Sequence, residues 1–331
     1  MKTENTTLHA VKALACFSIV SLHFLLPGEF GVFYQIVARF AVPFFMMLSG
    51  YFSFNISREK VKYRLKQMLL LTIASLIFYS IVHFIDLVLS GELAEKMATI
   101  DQSDFANFFF FNSPRDLIGP AATPTWYLLA ISYIYGLYLL FYKYFHHLTT
   151  FGVFLILLAL AFCIEFNTNS TLYYRNFLFM GLPFFIMGMQ FAKYRERILA
   201  YDLSSVRKWA ISLGIIGLIL LEYCFMGTEH DLYPSTLLSS SAIFLYAVRN
   251  GTNIDVPILN NIAKRYATMI YIIHPFIIFI FRQLMPRNDI YSFGFFIILL
   301  LSYLLSMLFQ KVIRPRIISL PASSPVKQDR S

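Results

Sequence analysis

Charge is scarce in this chain. Only 14% of its 331 residues are Asp, Glu, Lys or Arg, against roughly 25% in a soluble domain, so a water-facing surface is excluded for most of its length. Cysteine is scarce as well. Cys16, Cys163 and Cys224 are an odd set without a C-x-x-C pair, which excludes a disulfide framework and a cysteine zinc site. All three lie in apolar stretches and read as small buried hydrophobes. No internal repeat supports the inverted halves common in secondary transporters. No small-residue cleavage site follows the first apolar run, which therefore reads as a retained span rather than a signal peptide. Between the apolar runs there is no soluble catalytic domain.

What the chain does have is hydrocarbon. Hydrophobic residues are 58% of it, and its mean hydropathy is +0.64. About ten apolar runs, each near the roughly 20 residues a bilayer needs, fall at 8–27, 31–54, 68–89, 125–145, 148–166, 172–191, 209–226, 232–248, 266–283 and 290–312. The expected fold class is all-α integral membrane, a polytopic bundle of about ten transmembrane helices. A single transmembrane domain covers 1–316, and 317–331 forms a short cytoplasmic tail, basic and Ser/Pro-containing. The net charge of +9 does not mark a nucleic-acid partner, because the cations gather at alternate loops. All but Arg39, Lys96, Arg115, Arg175, Arg282 and Arg287 of the 27 basic residues fall in segments of one side. By the positive-inside rule that side is the cytoplasm, and both termini are on it. The longest loop, 90–124, is then external, and its Phe108–Phe111 run is too brief to span and suits the membrane interface.

The first apolar run carries two ionisable residues, Lys12 and His23, eleven positions apart. At about 100° per residue, eleven steps make three turns plus roughly 20°, so both lie on one helix face about 16 Å apart along the axis. Ionisable groups inside a span are costly to place and mark functional sites. One face thus offers a cation near one end and a titratable imidazole near the other.

Other polar groups share the outer half of the bilayer in this topology. Arg39 lies about eight residues into the second span, and Trp126 and Tyr127 open the fourth. Arg175 starts the sixth, and Glu222 sits in the outer third of the seventh. Together they imply a hydrated pocket open to the outside. Trp126 and Tyr127 also suit an interfacial aromatic belt, and Arg175 suits snorkelling to headgroups. His274, beside Pro275, either faces the pocket or bonds a carbonyl freed by the proline kink. His83 and Asp86 read as boundary residues, and His146 and His147 as a solvated inner turn. No metal site is expected.

The chain resembles the membrane acyltransferase-3 family over nearly its whole length. The resemblance rests on Lys12 and His23 in the first helix, Val42–Tyr51 at the end of the second, and the basic stretch Arg58–Lys66. It continues through Trp126–Leu128, Arg175–Phe185 and the late Tyr271–Pro275 run. Lysine stands at position 12 where arginine is commoner in the family, and Thr125 where many relatives have histidine before the tryptophan. The resemblance implies a ten-helix enzyme that moves an acyl group, often acetyl from acetyl-CoA, onto cell-surface glycans, lipids or small molecules. His23 would be catalytic and Lys12 its basic partner. Arg39, Trp126, Tyr127, Arg175, Glu222 and His274 would bind substrate. Arg58, Lys62 and Arg64 face the cytoplasm and serve either as a topology signal or to attract CoA phosphates. No cofactor stays bound; acyl-CoA is the donor substrate. Membrane lipid and a glycan or lipid-linked sugar acceptor are the partners, in the cell envelope. A transporter or flippase of a glycan or small polar solute is the alternative, since it too needs a polar pocket in the membrane.

Overall fold

The structure, a computed structural model, describes residues 4–168, 170–228, 230–285 and 291–312; the expected 317–331 tail lies outside them. It is all-helical, with no strand among the described residues. Hydrocarbon leaves a chain no partner for its backbone except itself, so apolar runs of this length become helices. Each of the ten runs is largely helical, and among the described residues six helical stretches are long and apolar enough to cross a membrane by length and composition: Thr6–His23, Gly28–Tyr51, Arg58–Ser90, Ser205–Met226, Pro257–Leu284 and Phe293–Lys311. The protein is a multi-pass membrane protein.

Lipid-facing character is written on the Arg58–Ser90 helix. It buries Thr72, Ser75 and Tyr79, one helix face at i, i+3, i+7 spacing. It exposes Leu70, Ile73, Ile77, Ile81 and Phe84 on the opposite side. A water-soluble helix would bury the second set and expose the first. The buried hydroxyls link helices: Thr72 Oγ1 lies 3.2 Å from both the Leu128 carbonyl and Ser132 Oγ on the Trp126–Leu140 helix. Small polar groups are a common adhesive between helices in lipid.

Two boundaries differ from the sequence expectation. The basic 58–66 stretch is no separate inner segment but the first turns of the 33-residue Arg58–Ser90 helix. Ser57 caps its start by accepting from Lys60 N, and Gly91 ends it with φ +79°; nothing between them breaks the ladder. At 1.5 Å per residue this helix is about 50 Å long, well beyond a hydrocarbon core of about 30 Å. The second run, by contrast, is interrupted, as Gly28–Ala38 and Ala41–Tyr51 are separate helices joined by a turn at Arg39 and Phe40.

The chain forms two compact units, one from the described residues up to Gly31 and from Ala242 onward, the other Val32–Ser241. In the first, Asn5 caps the Thr6–His23 helix by accepting from Leu8 N at 2.7 Å, and its amide donates to the Ala247 carbonyl at 2.9 Å. Ala10, Ala13 and Ala15 are at most 1% exposed, which lets this helix approach Ala267–Leu284 closely. In the second, Gly50 and Gly188 bring the Ala41–Tyr51 and Leu182–Lys193 helices into backbone contact. A Cβ at Gly50 would overlap the Phe185 carbonyl, and one at Gly188 the Met47 carbonyl. That is the small-residue packing expected of helices in a membrane.

Candidate functional site

The first unit carries Lys12, His23 and His274. Lys12 and His23 are both half-buried on the Thr6–His23 helix. His23 occupies its last residue, where the chain turns extended at Phe24. Its backbone carbonyl accepts from the Arg282 guanidinium at 3.3 Å. A cation there also complements the negative end of the helix dipole. The His23 ring faces the fully buried His274 ring with centroids 5.3 Å apart and planes inclined 35°. Cys16, one turn beyond Lys12, is buried with Sγ 3.5 Å from the Ala267 carbonyl, the packing role expected of it, whereas Cys163 and Cys224, expected to be buried too, are exposed on their apolar helices.

The second unit carries a charge network centred on a residue that hydropathy does not single out. Asp231, on the turn before the Pro234–Arg249 helix, accepts from both Arg39 and Arg175. Arg175 Nε is 2.7 Å from Oδ2, and the Tyr174 hydroxyl is 3.4 Å from the same oxygen. Arg39 is only 7% exposed. It also donates to the Thr228 carbonyl at 2.8 Å and lies 5.6 Å from the centre of the Tyr233 ring. Burial would by itself raise the Asp231 carboxyl. The Arg175 and Arg39 guanidiniums outweigh that and hold it below the usual carboxylate range, so it is ionised at neutral pH.

Glu165 fixes the turn that carries Asp231. Its carboxylate is buried and accepts from Asp231 N at 2.6 Å and from Leu232 N at 3.0 Å. Glu222 does the same one step on. It accepts from Ser235 N at 2.9 Å and from the Ser235 hydroxyl, satisfying the otherwise unpaired start of the Pro234–Arg249 helix. Its two oxygens therefore face the backbone and a serine of its own unit.

A cavity of about 310 Å³ opens beside this network. Arg175 and Trp126 line it together with Asn112, Arg115, Asp116 and Thr171. Cationic, hydroxylic and aromatic groups in one wall suit a polar ligand with a flat apolar face, as a sugar ring has. Tyr127 points elsewhere, toward Ser49 and the Phe45 ring. Arg58 and Lys62 are exposed on the first turns of their helix. Arg64 is half-buried and donates to Ser53 Oγ at 2.7 Å. His146, expected in a solvated turn, is instead half-buried, with Nε2 3.2 Å from the Tyr138 hydroxyl.

The structure thus joins Arg39 to Arg175 through Asp231, Arg175 to Trp126 along the cavity, and His23 to His274. Sequence reasoning missed Asp231 and Glu165. The signal was present, since an arginine inside a span requires a carboxylate partner and Glu165 is the acid within the 148–166 run.

Residues 5–310 match the family described as "Acyltransferase domain". No curated protein matches the chain, and no solved structure does.

Proposed function

The chain belongs to the acyltransferase-3 family of membrane O-acyltransferases, and from that premise we propose that it moves acetyl from acetyl-CoA to a hydroxyl of a cell-surface glycan or lipid-linked sugar. The observation that carries the reading is the family match over residues 5–310, within which His23 and Lys12 share one helix. Acyl transfer to a hydroxyl needs a base for the hydroxyl proton, and histidine suits that role near neutral pH. His23 takes it, either directly or through a transient acyl-imidazole. Lys12 supplies a fixed cation on the same helix, about 16 Å along its axis from His23, for the donor's phosphates.

In this proposal the cavity beside Arg175 and Trp126 binds a polar part of a substrate. The Arg39–Asp231–Arg175 network favours Arg175 as an anchor already aimed by Asp231, because a guanidinium has five N–H donors and Asp231 engages Nε and one terminal nitrogen. The remaining donors serve an anionic or hydroxylic group of that substrate. Ten crossings with both termini in the cytoplasm complete the proposal. The exposed cations Arg58 and Lys62 then lie on the side where CoA is made. Cells of the source organism lacking this chain should show surface glycan or glycolipid lighter by one acetyl group per modified unit, restored by the intact gene. Unchanged envelope masses across polysaccharide and lipid fractions would contradict the reading.

A further inference from the structure

A smaller cavity, of about 160 Å³, lies in the second unit where the Leu182–Lys193 helix ends. Phe54, His146, Thr149, Met189, Gln190 and Lys193 line it. A drug-sized ligand takes roughly 300 Å³ or more, so the space suits one ring of a larger molecule. The hydrogen bonds around it fix which atoms are left for a ligand. The Tyr138 hydroxyl gives its one hydrogen to the Ser53 carbonyl at 3.1 Å, because a carbonyl can only accept. The same hydroxyl oxygen lies 3.2 Å from His146 Nε2, so that nitrogen carries a hydrogen and donates it. Neutral His146 then keeps its lone pair on Nδ1. Its ring is set nearly perpendicular to both Phe54, at 5.6 Å and 80°, and Tyr138, at 5.8 Å and 85°. Gln190 is oriented in the same way. Its Nε2 donates to the Thr149 carbonyl, which leaves Oε1 as an acceptor without a donor among the described residues. His146 Nδ1 and Gln190 Oε1 are thus two neutral acceptors, and they call for a ligand with N–H groups.

The same place carries positive charge that the protein does not neutralise. Lys193 is exposed, and its Nζ lies 5.4 Å from the centre of the Tyr194 ring. Arg64 is half-buried and belongs to the same network. It gives one of its five N–H groups to Ser53 Oγ at 2.7 Å, on the residue whose carbonyl takes the Tyr138 hydrogen. Neither cation meets a carboxylate among the described residues. Arg39 and Arg175, by contrast, are both held by Asp231. A half-buried guanidinium that lacks a carboxylate and keeps most of its donors is suited to phosphate oxygens. Inorganic phosphate alone matches only this half of the site, because the two neutral acceptors have nothing to accept from its oxygens. A molecule that joins a flat amino-bearing ring to phosphate matches both halves.

We propose that this cavity binds a nucleotide, the adenine end of the acyl-CoA: the two hydrogens of the ring's 6-amino group go to Gln190 Oε1 and His146 Nδ1, and Lys193 holds the ribose phosphate. Phe54 and Met189 supply the apolar wall that a flat ring needs, and Arg64 adds attraction for the phosphates. The choice of nucleotide rests on the proposed acyl-CoA donor; the pattern of acceptors and cations does not. No bond is made or broken here, since the site anchors the donor by its non-reacting end. It also sorts the basic stretch expected to meet CoA. Arg64 belongs to the network around this cavity, whereas Arg58 and Lys62 are exposed on the first turns of their helix.

Equilibrium binding of radiolabelled adenosine 3′,5′-bisphosphate to the purified full-length protein tests this without any transfer step, because that molecule is the nucleotide end of CoA without its thiol arm. The wild-type protein should bind it. Inosine 3′,5′-bisphosphate, which has a carbonyl in place of the amino group, should bind about tenfold or more weakly, since it leaves the two acceptors unpaired. Lys193→Ala, at an exposed position where folding is little affected, should weaken the adenosine compound about tenfold, the scale of one charged hydrogen bond. Gln190→Leu should narrow the gap between the two nucleotides; if that variant does not accumulate, Lys193→Ala and the nucleotide pair still decide. Equal binding of adenosine and inosine compounds by the wild-type protein, wild-type affinity in Lys193→Ala, or displacement by inorganic pyrophosphate as readily as by unlabelled nucleotide would overturn the proposal. Acetyl transfer by a protein that binds no adenosine bisphosphate would overturn the site and leave the acyltransferase reading standing. The expected binding pattern without any acyl transfer would do the reverse.

Discussion

Asp231→Ala is expected to lower the amount of folded protein in the membrane sharply, with a loss of about 3–5 kcal/mol. The reason is what it leaves behind. Arg39 and Arg175 both donate to this carboxylate, and Arg39 is only 7% exposed. Removing the acid strands two guanidiniums that cannot shed their charge. Arg39→Met in the same background removes the more deeply buried of the two, so the double variant should be more abundant than Asp231→Ala alone. Size-exclusion profiles and thermal unfolding in detergent would read both effects. Since the folded Asp231 titrates below its unfolded value of about 3.9, its contribution is complete at neutral pH. It fades only as pH falls below about 4 and through the depressed folded value. Wild-type stability in Asp231→Ala would show that the network is ornamental.

The second large effect is expected at Lys12. Lys12→Leu should reduce acyl transfer by about 100-fold or more, the scale on which removing one electrostatic stabiliser acts, while the protein accumulates normally. Lys12→Arg should keep much of the activity, because it keeps the charge. The contrast separates chemistry from assembly. Leucine makes the first span easier to insert, and many other inner cations remain to set its orientation, so an assembly role would leave Lys12→Leu active. Equal activity of the two variants, at equal abundance, would remove Lys12 from the reaction.

The elements of this fold are legible in the sequence to a useful degree because hydropathy is a local property. Every apolar run is largely helical in the structure, though the second is split in two. Partnership is not local, and there the reading stops short. Arg39 reads as a charge inside a continuous span, yet it sits in the turn that splits the span, paired with an aspartate on a distant turn. The basic 58–66 stretch reads as a loop from its charge, but charge does not break a helix, and a serine cap with no glycine or proline before Gly91 keeps it helical. Glu222 and Arg39 were singled out by the same rule about charges in lipid. The structure gives them different work, since Glu222 holds a helix start and Arg39 a salt bridge. His23 and His274 each lie in a stretch on which the family resemblance rests, and Lys12 and His23 share a face by counting alone. That the two imidazoles meet required the packing of the Thr6–His23 helix against Ala267–Leu284, which no spacing rule supplies.

The central claim is that the face carrying His23 performs acyl transfer. Its most direct test is label transfer from acetyl-CoA in vesicles that contain only the purified protein and an acceptor glycolipid fraction. The wild-type protein should move label into the glycolipid. His23→Ala, inserted in equal amount, should fall by about 100-fold or more toward background, the contribution expected of a positioned base. Transfer at the wild-type rate in His23→Ala would contradict the account.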